Sequence, residues 1–310
     1  MSDFIGQVRH FFQQQNLTFS QTDDFGLPFP HFYFSDQQLI VHCIGLSSKL
    51  NSPFVWQEIA NQFSQKQQRV VHLWEDVWRR NPEIVQSRLL ASLGHSQRVP
   101  ARLTQARRID KATLDAFLNA NHLQGSTNAK LKYGLFLPEK HFAKIKPLYL
   151  TNQQSKIILL QQSPITNYQS SITQSQITQS QITNLKPEIL VAVASFSGLK
   201  TYWRNEKPCR SAELIRVCNL LNCTVVGGLD KLLKTFIKEI NPDDLMTYAD
   251  RDWSDGHSYQ RLGFELIEQT PPQLFWIDPQ TFERHKQPNA NGHFVEIYNA
   301  GNLKFLKKMK

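Results

Sequence analysis

Two strand-to-helix junctions, separated by one helix, constrain the fold of this chain more than any other feature of its sequence. Val225-Val226 runs into Gly227-Gly228 and then into a helix over 229–240. The next strand, Leu245-Met246-Thr247-Tyr248, passes into a polar loop over 249–256. A helical turn over 258–262 follows, and Gly263 stops it in the manner of a C′ glycine. Adjacent junctions of this kind make an α/β sheet and suggest a ligand at strand ends, where helix-start amides face an anionic group.

With 310 residues the chain is long enough for two domains, and 40% hydrophobic residues with 20 Phe suffice for a core. A mean hydropathy of −0.42 and short apolar runs exclude a transmembrane helix. The opening MSDFIGQVRHFFQQQ lacks the apolar region of a signal peptide. Cys43, Cys209, Cys218 and Cys223 show neither CxxC pairing nor histidines at zinc spacing, so they read as buried thiols of a cytoplasmic protein. A formal charge of +9 favours a polyanionic partner such as nucleic acid, against the plainer reading of a merely basic protein.

Residues 1–100 read as a small α/β unit. An amphipathic helix over 2–15 presents Phe4, Val8, Phe11 and Phe12, and strands over 31–34 and 39–44 flank a turn. A helix over 54–65, a buried strand over 70–74 and a helix over 82–93 follow, the last with Pro82 first and Gly94 after its end. Arg102, Arg107 and Arg108 form a basic cluster before a helix over 111–119, a polar loop and a strand over 130–137. Residues 138–188 read as an insertion, and 161–184 within it repeats an ITQSQ unit too polar to build a core. Strands over 189–197 and 213–218 follow. Segments 264–268 and 274–277 read as a strand pair across Thr270-Pro271-Pro272, and the tail as two strands about the turn 299–302.

The element order of residues 1–100 resembles the Vsr-like branch of the PD-(D/E)XK nucleases, and VVHLWEDVWRRNPEIVQSRLLASLG (70–94) is similar to a segment of phage homing endonucleases. That resemblance implies an aspartate and a glutamate holding a divalent metal, but PHFYFSDQQLIVHCIG puts His31 and His42 at those positions. Imidazoles replace the hard carboxylate ligands of Mg²⁺ poorly. The expectation is a degenerate nuclease domain without a metal, with a His31/His42 transition-metal site as the competing reading. Glu75 and Asp76 are expected to be surface or capping acids.

NHLQG (121–125) resembles a box in the C-terminal domain of the same phage endonucleases. It implies that Asn121, His122 and Gln124 face a substrate and read a base edge, the alternative being a helix C-cap and hairpin lead-in. The order strand, helix, strand hairpin, strand, glycine turn, helix, strand, helix, strand resembles the GNAT acyltransferase fold. SYQRLGFE (258–265) is similar to that superfamily's end-of-domain motif, which implies Tyr259 as the general acid protonating the thiolate that leaves acyl-CoA. The cofactor's pyrophosphate is then expected at the amides of Gly227, Gly228 and Leu229 with Lys231 nearby, although VVGGLDK departs from the usual Arg/Gln-x-x-Gly-x-Gly/Ala loop. On this basis Gly228→Val is expected to block the cofactor without unfolding the domain.

ELIRV, YAD, GH and YQ, in that order, are similar to the Mom family of phage proteins that modify adenine in DNA. The match implies a pocket of Glu213, Arg216, Tyr248, Asp250 and Tyr259, between the Glu213 strand and the Tyr248 strand. Asp250 or Glu213 would take a proton from an attacking amine, and Arg216 would orient an anionic group. Arg251 and Trp253 join as substrate contacts, with Trp253 either a base-stacking platform or core. Asp250, Arg251, Asp252 and Asp255 also read as a hydrogen-bonded loop brace, and His257 as a structural or capping residue. The sequence thus predicts an α/β protein with a degenerate nuclease-like domain over 1–100 and a GNAT-like domain over 101–310. Its expected function is acyl-CoA-dependent acyl transfer onto a nucleic-acid base or similar amine. The alternative is a non-catalytic nucleic-acid-binding protein derived from a mobile-element endonuclease.

Overall fold

The computed structural model describes residues 4–21, 25–47, 52–145, 187–204, 206–288 and 292–309, so the ITQSQ repeat lies outside the described residues. It is a mixed α/β structure with several sheets. The chain forms two compact units that interleave in sequence. Met1–His95, Leu199–Leu214 and Pro242–Lys310 make the first; Ser96–Gly198 and Ile215–Asn241 make the second. Residues 199–214 and 242–310 therefore group with the N-terminal segment, across the boundary near residue 100 that the sequence suggests.

In the first unit, α1 (Phe4–Gln14) buries Phe4, Val8, Phe11 and Phe12, the stripe its periodicity predicts. Phe12 meets Phe34 at 4.9 Å and Phe32 at 5.3 Å between ring centroids. These belong to β1 (His31–Phe34), which pairs antiparallel with β2 (Leu39–Ile44), and Gln38 turns between them at φ 47°. β3 (Arg69–Trp74) lies parallel to β2, reached through α2 (Val55–Gln65). α3 (Glu75–Arg80) starts directly from β3, a helix the sequence pattern does not announce; α4 (Pro82–Ser92) follows with Pro at its start. Glu75 and Asp76 occupy the first turn of α3, where acids suit a helix start, but they are not at the surface: they are 8% and 1% exposed. Glu75 pairs with Arg79 at 2.9 Å, and Arg284 grips Asp76 at 2.6 and 3.1 Å, so each buried charge has its counter-charge.

Register sets three imidazoles side by side, His31 opposite His42 and His42 opposite His72. His42 and His72 are fully buried, their Nδ1 atoms 3.3 Å apart, with Trp56 and Phe29 packed on them. Burial, with His72 and His31 adjacent, pulls the pKa of His42 well down, and burial takes His72 down to about 4. Among the described residues no group of three or more His, Cys, Asp or Glu side chains is placed to hold a metal ion. The row is core, and burial holds His42 and His72 neutral.

The second unit begins with β4 (Gln97–Pro100), β5 (Gln105–Arg108) and α5 (Lys111–Asn121), which Asp110 caps by accepting from Thr113 N at 2.7 Å. Arg107 and Arg108, read from sequence only as a basic cluster, are the end of β5. β5 pairs antiparallel with β6 (Leu131–Pro138), and β6 with β7 (Glu188–Phe196), the apolar central strand. β8 (Lys200–Arg204) and the first half of β9 (Lys207–Asn219) form a hairpin in the first unit, and β9 continues in the second beside β7. β10 (Cys223–Val226) pairs parallel with β4, and α6 (Gly228–Ile240) packs on β5, β6 and β7.

Back in the first unit, β11 (Asp244–Asp250) lies parallel to β9 from Asp244↔Ser211 to Thr247↔Leu214. After α7 (His257–Gln260), β12 (Glu265–Gln269) pairs with β16 (Asn302–Lys308), which also pairs with β11. β13 (Leu274–Ile277) instead joins β14 (Arg284–His285) and β15 (Val295–Tyr298) in a separate sheet. The expected β12–β13 pair is therefore replaced, while the two tail strands flank the turn near 299–302 as expected, each paired with another strand. Apolar partners elsewhere outcompete the local turns: Ile277, Ile297 and Ala300 complete a core with Ile40, Ile44, Trp56, Ile59, Phe63 and Trp74. No described helix is long and apolar enough to cross a membrane.

The histidine row sets a pH dependence. Both folded-state pKa values lie below the unfolded value of 6.5, so the unfolded chain takes up protons first. This contribution to stability is whole above that value and is lost as pH falls towards about 4. Urea midpoints measured from pH 7.5 down to about 5 should fall less steeply in His42→Leu than in the native chain. Equal slopes would contradict a neutral buried row.

Candidate functional site

The β10–α6 junction in the second unit is where the sequence places a phosphate. Gly227 is the N-cap of α6 at φ 77°, a left-handed conformation that glycine adopts without strain. Gly228 serves packing: a Cβ there would stand 2.9 Å from Val225 Cβ and 3.3 Å from Leu135 Cδ1. Leu229 is half-buried in the first turn. Lys231 Nζ donates to the carbonyl of Ala101 at 2.9 Å and to that of Thr104, and burial lowers its pKa. Beside the junction lies a concavity of about 560 Å³ whose lining includes Arg102, Gly227, Asp230, Lys231, Lys234 and Lys238. Lys234 pairs with Asp230 at 2.6 Å.

In the first unit, the loop after β11 turns its first residues inward. Asp250 Oδ1 accepts from Asp252 N at 3.0 Å, and its carbonyl accepts from Trp253 N and Ser254 N. Arg251 is 6% exposed and donates to Asn61 Oδ1 at 2.6 Å and Gln269 Oε1 at 3.2 Å. Asp252 is buried, accepting from Trp74 Nε1 at 3.1 Å and Ala300 N at 2.8 Å. Burial, then the neighbouring Asp250 charge, pushes the Asp252 pKa up. Trp253 is buried beneath the Arg88 guanidinium, 4.8 Å from its ring centroid. Arg251 and Trp253, expected to touch substrate, are held as a brace and as core.

The sheet separates the expected catalytic group. Glu213 is the register partner of Met246, so strand alternation puts Glu213, Met246 and Tyr248 on one face and Thr247 on the other. Tyr259 is on Thr247's side, packed on Phe305 and Phe264 at 5.6 Å each, and burial raises its pKa. Its hydroxyl lies against that of Thr247, which itself donates to the carbonyl of Leu214 at 3.0 Å.

Asn121, Arg216, His122 and Gln124 lie in the second unit. Asn121 is buried, donating to Phe117 O at 2.8 Å and accepting from Leu221 N at 2.8 Å. His122 Nδ1 accepts from Gln124 N at 3.1 Å, so NHLQG has the geometry of a helix end and turn, with Gln124 exposed. Arg216 is half-buried and donates to Ile215 O at 3.0 Å. Sequence reasoning missed Arg102, Lys234 and Lys238 beside the glycine junction; basic residues at i and i+4 after that turn were the available signal.

No family model and no curated protein matches this chain. Among solved structures, the crystal structure of the NatC complex bound to Gag peptide and CoA aligns with 67% of this chain and 99% of its own, at 9% identity and a TM-score of 0.31.

The glycine packing overturns the expectation that Gly228→Val leaves the domain folded. Even Gly228→Ala should destabilise by about 1–3 kcal/mol through overpacking against Val225. Trp74→Phe, which leaves Asp252 Oδ2 without its indole donor, should cost about 1–3 kcal/mol. Urea denaturation measures both, and an unchanged midpoint in either variant would contradict the packing described.

Proposed function

We propose that this chain is an acyl-CoA-dependent acyltransferase of GNAT-like architecture, acting on a nucleic-acid base or similar amine. The observation that supports it is strand order. In the second unit β5, β6, β7 and β9 are successive neighbours, and in the first β9, β11, β16 and β12. β11 runs parallel to β9 and is reached through the glycine turn and α6, as the GNAT-like order requires.

Acyl-CoA, when bound, supplies a thioester carbon open to attack by an amine. The chain's own side chains suit its pyrophosphate: Arg102 and Lys238 line the concavity beside the α6 amides. Lys231 contributes rigidity, since its ammonium is held by two carbonyls. Tyr259 carries its phenolic proton at neutral pH, the more firmly because burial raises its pKa.

A second reading, nucleic-acid binding without catalysis, has its own support. The β8–β9 hairpin exposes Trp203 at 73% and Tyr202 at 42%, with the exposed Lys200 and Lys207 beside them. Exposed aromatics among cations form a stacking platform for single-stranded bases.

Calorimetric titration of the full chain with acetyl-CoA and CoA tests the first reading. Micromolar binding is expected, weakened at least tenfold in an Arg102→Glu/Lys238→Glu variant that keeps the native urea midpoint. No binding at millimolar ligand would withdraw the acyl-CoA reading. Trp203→Ala should then weaken binding of a labelled single-stranded oligonucleotide by about tenfold in fluorescence anisotropy. Unchanged affinity would remove the hairpin from the interface.

A further inference from the structure

The outward half of the loop after β11 forms a second concavity of about 430 Å³ in the first unit, lined by Arg69, Ser254, Asp255, His257, Ser258 and Arg261. Its frame is fixed. Gly256 turns at φ 77° against Phe305, where a Cβ would stand 2.2 Å from the ring, and Ser254 Oγ accepts from Gly256 N at 3.1 Å. Asp255 accepts from His257 N at 3.1 Å and from His257 Nδ1 at 2.8 Å. That carboxylate fixes the imidazole so that Nε2 is the ring nitrogen left for a ligand. Arg69 stands 3.8 Å from Asp255, a loose pair that leaves its fork largely free, and Arg261 is exposed with no ion pair recorded among the described residues. Two guanidiniums and an oriented imidazole, with two hydroxyls beside them, offset by one carboxylate, make a cationic concavity with many donors.

We propose that this concavity is a binding site for a phosphate group. Arg69 and Arg261 provide bidentate donors to its oxygens and the hydroxyl of Ser258 adds another, while Asp255 holds the Nδ1–H of His257, whose Nε2 joins as a donor only in the imidazolium form. A carboxylate ligand would use one fork; a tetrahedral phosphate uses both. The site lies in the other unit from the glycine junction and is independent of whether acyl-CoA binds.

The test is calorimetric titration of the full chain with three probes: inorganic phosphate, a nucleoside 5′-monophosphate, and a single-stranded oligonucleotide lacking terminal phosphates. Saturable binding of at least one probe is expected, weakened at least tenfold by Arg261→Gln and by Arg69→Gln, each with a native urea midpoint. Arg102→Glu/Lys238→Glu, at the other concavity, should leave that binding intact. Preference for the free phosphate and nucleotide assigns the site to a terminal monoester; binding of the oligonucleotide alone assigns it to a backbone diester. Loss of binding in the Arg102/Lys238 variant with none in the Arg261 and Arg69 variants would overturn the proposal. So would the absence of saturable binding to all three probes at about 10 mM.

Discussion

Asp252 is a carboxyl group with 2% exposure, and several remote parts of the first unit meet to satisfy it. Burying an acid is costly unless its oxygens are hydrogen-bonded. Here each oxygen has a donor from a different part of the chain, Trp74 at the end of β3 and the backbone of Ala300 before β16. The Asp252 carbonyl also takes the His72 amide at 2.8 Å. One residue thereby fixes the loop after β11 to the N-terminal sheet and to the turn between β15 and β16. Arg251 adds a second tie, to Asn61 of α2 and Gln269 of β12.

The same loop has two sides because of this anchoring. Arg251, Asp252 and Trp253 are turned into the protein, while His257, Ser258 and Arg261 are exposed a few residues later. Inward residues fix the backbone, and the outward ones inherit a defined geometry without needing their own packing. The polar stretch that looked like one reactive loop is therefore a brace followed by a presenting surface.

Much of the fold was legible where local pattern and tertiary demand agree. The stripe on α1, the turn before β2, Pro82 at the start of α4 and the glycine before α6 all keep the positions the sequence implies. Legibility failed where partners are remote. Asp76 reads as a surface acid because Arg284, its counter-charge, is 208 residues away. Thr270-Pro271-Pro272 looks like a hairpin turn, but β13 finds β15 and the Trp56–Trp74 core instead. Lys200–Arg204 lacks an apolar face, so β8 gave no strand signal. In the site, Gly227 and Gly228 looked alike, yet one supplies a left-handed turn and the other room for Val225. The Asp255-Gly256-His257 spacing, in which the carboxylate can reach the imidazole two residues on, was the signal available for the second concavity.

The central claim, that the loop after β11 is an anchored brace, is tested most directly by hydrogen exchange of the full chain, resolved at the amides of Asp252, Trp253, Ser254, Gly256 and Ala300. Each of these amides donates a hydrogen bond in the structure, so the account predicts protection comparable with that of the β11–β16 ladder. Exchange at the rate of exposed loop tips would contradict it, and with it the fixed frame on which the phosphate site depends.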